Sequence, residues 1–114
     1  MSYNSTPLLT LTKTLSGTVA AHRFVTPAGA QAGADAVSQG VTRTAGVSGD
    51  KVPMDAIGTT IVETGAAVAL NDTLKSDASG RGITWVTSGA KTAMALEAAT
   101  AAGQFIEVLL LPNA

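Results

Sequence analysis

The chain contains no cysteine, which removes disulfides, thiolate metal sites and cysteine nucleophiles. It has a single histidine, His22, and three glutamates in 114 residues, a small stock for acid–base catalysis. Four aromatic side chains (Tyr3, Phe24, Trp85, Phe105) are too few for a base-stacking platform. Charged residues make up 13% of the chain, about half the ~25% of an ordinary soluble protein. The net charge of −1 offers no electrostatic grip on nucleic-acid phosphates, so a nucleic-acid partner is not expected. Long hydrophobic runs are also lacking. The strongest, residues 105–111, is interrupted by Glu107 and falls far short of the ~20 residues that span a bilayer. Residues 1–7 carry no basic stretch followed by an apolar core, so no secretory signal is read there and synthesis in a cytoplasm is expected.

What is present is small and hydroxylated: 21 alanines, 16 threonines and 12 glycines. The hydrophobic fraction is 46%, yet only 26 residues are Leu, Ile, Val or Phe. A single domain of this size has a thin core, which favours association with copies of itself or with a larger surface.

Periodicity points to short strands. Residues 9–15 read Leu-Thr-Leu-Thr-Lys-Thr-Leu, a period-2 pattern with Leu on one face and Thr on the other. Residues 1–16 are therefore read as an extended N-terminal arm able to add to a sheet edge, its own or a neighbour's. Residues 17–114 are read as the β-rich domain. Within it, strands are expected at 17–26, with His22 in mid-strand, and at 37–44. Two more, 51–54 and 57–63, are separated by Asp55-Ala56. Residues 65–70 form a strand or crossing segment; 73–75 lead into a turn cluster at 76–82; and 83–87, carrying Trp85, are a strand. Residues 28–36 hold no bulky side chain and read as a surface loop. Asp50, Asp55, Asp72 and Asp77 fall where turns are expected, and there Asp bonds its own backbone.

Residues 91–102 are ambiguous. Their alanines favour helix and Gly103 is a good stop. Against this, Met94 and Leu96 are two apart, the spacing of a strand face. Residues 105–111 read as a buried strand ended by Pro112. Short strands at about ten-residue spacing with Gly-rich turns indicate a mainly β domain, a small β-barrel or β-sandwich.

No motif carries chemistry. Gly80-Arg81-Gly82 lacks the third glycine of a dinucleotide fingerprint, and Gly89-Ala90-Lys91-Thr92 breaks the phosphate-loop spacing. His22 has no Gly-x-Ser-x-Gly elbow to serve, and the carboxylates are scattered singly, so no metal or cofactor is expected. Asn4-Ser5-Thr6 and Asn71-Asp72-Thr73 match the glycan-acceptor pattern by chance in a Thr-rich chain. Trp85 serves either as core or interface filler or as a sugar-stacking platform.

Residues 95–110 (Ala-Leu-Glu-Ala-Ala-Thr-Ala-Ala-Gly-Gln-Phe-Ile-Glu-Val-Leu-Leu) resemble the end of the tailed-phage capsid cement, or head decoration, proteins. Gly40-Val41-Thr42-Arg43-Thr44-Ala45 followed by Gly58-Thr59-Thr60-Ile61-Val62-Glu63 resembles the middle of that family. The likeness covers about residues 17–114 and is one of pattern; the arm is the part it fixes least. It implies a small β-barrel-like domain that is not an enzyme and binds the outer surface of a phage head at capsomer junctions. The partner implied is the major capsid protein, with the chain as a homo-oligomer, a trimer favoured. It also implies that residues 94–98 are extended, 99–104 turn, and 105–111 are extended.

Two other classes stay open on the residues alone. One is a carbohydrate-binding or adhesin-like β module using Trp85. The other is a small hydrolase or lyase using His22. Under the decoration reading, Leu8, Leu9, Leu11 and Leu15 of the arm, with Trp85, are the candidate contacts to capsid or to a second subunit.

Overall fold

The computed structural model describes residues 5–111; Tyr3, Asn4 of the first glycan-acceptor match and Pro112 lie outside them. Eight strands follow in chain order: β1 (Pro7–Thr14), β2 (Phe24–Val25), β3 (Gly40–Thr42), β4 (Lys51–Glu63), β5 (Thr73–Ser76), β6 (Gly82–Thr84), β7 (Ala93–Ala95) and β8 (Phe105–Leu110). There is no helix among the described residues. The strands form one antiparallel sheet in the order β2-β3-β4-β8-β7-β5-β6, with β1 added on β4. The far end curls back: Gly65 N–H donates to Gly82 O and Phe24 N–H donates to Gly80 O. The sheet is thus nearly closed, and the β-barrel-like architecture expected from the strand spacing is present.

β4 organises the molecule. Its first half pairs with β1 on one side and β3 on the other; its second half, Thr59–Glu63, pairs with β8. The expected break at Asp55-Ala56 does not occur: β4 runs unbroken for 13 residues. Asp55 is fully buried in it rather than in a turn. Its carboxylate accepts from Thr10 Oγ1 (2.9 Å) and Thr60 Oγ1 (2.7 Å) and pairs with Arg43 Nε (3.3 Å). Partners 45 and 12 positions upstream, invisible to local reading, make a buried carboxylate tolerable mid-strand. Asp50, Asp72 and Asp77 do cap turns, accepting from Val47 N, Ala69 N and Ser79 N.

The core has two parts. Phe24, Val41, Val62, Leu74, Ile106 and Val108 centre the larger, inside the curled sheet. Leu15, Val19, Val25, Val52 and Met54 form the smaller, beneath β1, with Leu11 packed against it. β8 shows why alternation works: Ile106, Val108 and Leu110 are buried and the residues between are half-buried.

Other local readings need correction. Of residues 17–26 only Phe24–Val25 is a strand. His22 is in a turn with φ +60°, not mid-strand, and its ring meets the edge of Phe105 at 5.5 Å. That turn lets Val19 enter the smaller cluster while Phe24 enters the larger. The 28–36 loop is irregular as expected, yet Ala32 is buried against Phe24, because a small side chain permits close approach. The β6 strand ends at Thr84, one residue before Trp85. Residues 93–95 are β7, Ala99 bridges to Val68, and the chain turns at 102–103 before β8. The alanine-rich stretch is not helical, because Ala93 and Ala95 are needed as small, fully buried residues on a strand.

Candidate interface surface

β1 is the most exposed strand of the sheet. It pairs with β4 of its own chain, so the arm is an integral strand whose inner edge is already occupied. The four arm leucines are sorted by this pairing. Leu8 is 77% exposed and Leu9 41%. Leu11 is half-buried over the smaller core cluster, and Leu15 is sealed within it. Leu15 thus secures β1 to the body, and only Leu8 and Leu9 are turned to solvent.

The two exposed leucines sit at an irregularity. Pairing runs Pro7 to Gly58, Leu9 to Ile57 and Thr10 to Asp55. One extra residue on β1, Leu8, is answered by one extra on β4, Ala56: two bulges that cancel. A bulge re-aims side chains, and here it leaves Leu8 outward beside Leu9 and the half-exposed Ile57. Gly58 permits the geometry. Its φ is +105°, and a Cβ there would lie 2.5 Å from Thr6 O. Ile57 was not singled out from the sequence; the Leu9–Ile57 register that reveals it depends on the bulges, which have no local signature.

Below the apolar step the surface is held by polar contacts. Arg43 Nη2 donates to Ser5 Oγ at 2.9 Å while its Nε pairs with Asp55, tying both ends of the upper β1 segment to β4. Lys13 Nζ bonds Pro27 O and Gln39 Oε1. On the opposite part of the molecule, Arg23 bonds Glu63 at 3.0 Å, and Arg81 pairs with Asp77 at 3.2 Å.

Trp85 is not beside the leucines. It follows β6, its Nε1 donates to Gly89 O at 2.9 Å, and Lys91 Nζ lies 4.6 Å from its ring centroid. One ring face therefore carries an ammonium in a cation–π contact. Nearby, Lys75 bonds Asp35 at 2.7 Å and holds its carboxyl below the ordinary carboxylate range, with a Ser88 hydrogen bond adding to the effect. His22 has Phe105 against its ring and Arg23 beside it in sequence. Among the described residues, no three of His, Asp and Glu converge as metal ligands would.

The described residues thus form a near-closed all-β domain fastened by polar pairs, with a bulged edge strand lifting leucines into solvent. The chain belongs to the phage cement protein family, whose model matches residues 4–110. It is a phage capsid-associated structural protein. Its fold is similar to that in the crystal structure of the head fiber gp8.5 N base of bacteriophage phi29. The TM-score is 0.72 at 18% identity over 90% of this chain and 93% of that one. No curated protein matches the chain.

Proposed function

We propose that the protein decorates the outer surface of a phage head at capsomer junctions, contacting the major capsid protein and catalysing no reaction. It is made in the bacterial host cytoplasm and acts as a homo-oligomer, with a trimer matching a threefold junction. The observation that carries this reading is the Leu8–Leu9–Ile57 step on an edge strand, in a chain of the cement family.

Magnitudes shape the mechanism. Full burial of a Leu or Ile side chain stabilises by about 1.5–3 kcal/mol. Association costs roughly 4–15 kcal/mol. Three side chains, each already partly covered, do not hold one copy alone. Oligomerisation multiplies the contacts, and repetition over a lattice lets modest individual contributions act together. Low surface charge helps, because few ions must be stripped of water when the surface is covered.

The test is co-sedimentation of the protein with undecorated heads. The wild type pellets with the heads. Leu8→Ser/Leu9→Ser, which leaves both core clusters intact, binds at least about tenfold more weakly, the equivalent of losing one such side chain's burial. Equal binding by this variant would remove the step from the interface.

A further inference from the structure

The apolar step is continuous with a second feature, the outer edge of β1, which is unpaired at Thr10–Thr12 among the described residues. Its orientation follows from three main-chain hydrogen bonds. Leu15 N–H donates inward to Asp50 O, so between the bulge and Leu15 the odd-numbered residues Leu11 and Lys13 turn their main-chain groups toward β4. Arg43 N–H donates to Pro53 O, so Pro53 turns its groups toward β3 and away from its β1 partner Thr12. A residue opposite one that faces away also faces away. Thr12, and Thr10 by the same alternation, therefore point N–H and C=O outward. The missing N–H of Pro53 costs the β1–β4 ladder nothing for the same reason.

One end of this edge is closed. Ser16 N–H, the next outward-facing group but one after Thr12, donates to Gly29 O at 3.0 Å. Gly29 lies so close to Thr14 O that a Cβ there would overlap it. The chain's own Pro27–Gly29 turn thus fills the lane beside Thr14 and Ser16. The other end opens onto Leu8, Leu9 and Ile57. Along Thr10–Thr12 the usual guards of an open edge are missing, since the bulge and Pro7 lie beyond the end of this stretch. The segment facing out has no proline, and the only charge on β1, Lys13, is turned back onto Pro27 O and Gln39 Oε1.

This asymmetry counts against a second copy paired β1 to β1 about Thr12, and membership of the cement family points to a capsid segment instead. A second copy pairing its own β1 by a twofold at Thr12 would bring Thr10 opposite Thr14 and Leu8 opposite Ser16. That lane is already filled by Pro27–Gly29. We infer that the outer edge of β1 at Thr10–Thr12 receives an extended, uncharged segment of the capsid protein as an added strand. Its apolar side chains cover Leu8, Leu9 and Ile57, and it ends or turns against the Pro27–Gly29 loop. The inference rests on the decoration reading and assigns the main-chain groups that make the contact. Hydrogen bonds to Thr10 and Thr12 add what the three apolar side chains lack.

The experiment uses the full chain and undecorated heads. Thr12→Pro deletes the outward N–H and puts a ring on the open edge while leaving the β1–β4 ladder intact. It binds heads at least about tenfold more weakly than wild type, the effect of losing one or two net hydrogen bonds. In parallel, hydrogen exchange of the free protein shows a fast Thr12 amide between protected Leu11 and Lys13 amides, and head binding slows Thr12. Wild-type binding with Thr12→Pro binding equally, or with Thr12 exchange unchanged, overturns the edge assignment and leaves the decoration reading standing. Failure of the wild type to bind heads overturns the decoration reading and this inference with it. Slow Thr12 exchange in the free protein that tracks a concentration-dependent dimer would make a second copy the occupant and also overturn it. The exchange arm decides the matter if Thr12→Pro does not fold.

Discussion

Asp55 ties three parts of this fold together. It is fully buried, yet three partners from three segments satisfy it. Asp55→Ala leaves Thr60 and Arg43 facing an empty site; we expect a loss of about 2–4 kcal/mol in denaturant unfolding, below the upper range for a buried pair because Arg43 is partly solvated. Thr10→Val removes one donor and costs about 1 kcal/mol. Gly58 is a second residue-scale case. Gly58→Ala forces a side chain into a φ of +105° and against Thr6 O, so a loss of about 1–3 kcal/mol is expected in the same assay. Asp35 tests the sign of an exposed pair. Its carboxyl is held low by Lys75, so its contribution is present above the ordinary carboxylate pKa and fades as pH falls through the lowered folded value. The stability gap between wild type and Asp35→Ala should be constant near neutrality and shrink in strong acid to a pH-independent remainder set by the positive φ at this position.

At the scale of elements, legibility in the sequence followed how local each cause was. β8 was readable because its alternation faces a core on one side. β1 was readable because Leu and Thr alternate, and its leucines were singled out, though Leu15 proved to be an internal anchor. β4 was split by Asp55, a residue whose burial is explained only by Thr10 and Arg43 arriving from elsewhere. The alanine-rich 91–102 segment shows propensity giving way to packing: Ala93 and Ala95 are small because β7 is squeezed between β5 and β8. Ile57 went unseen because no periodicity marks a pair of cancelling bulges. The same elements limit what a truncation can show. Removing β1 uncovers the smaller core cluster, so such a variant should lose stability as well as head binding, and thermal unfolding would register the first. The Leu8→Ser/Leu9→Ser pair separates the two effects.

At the scale of the whole molecule, the chain spends its few bulky residues on two small clusters and leaves a neutral surface with one apolar step. Single exposed apolar residues such as Val37, Val47, Leu70 and Val86 are ordinary for a small protein. The Leu8–Leu9–Ile57 group differs in being contiguous and in adjoining an open strand edge. In this member of the cement family we propose that this surface binds the outside of the capsid at capsomer junctions. Electron cryo-microscopy of undecorated heads mixed with the purified protein tests it most directly. Added density is expected at the junctions on the outer face, with the β1 edge and Leu8 against the capsid shell. Heads that stay bare at saturating protein, or density bound through the opposite side of the barrel with β1 facing solvent, would contradict it.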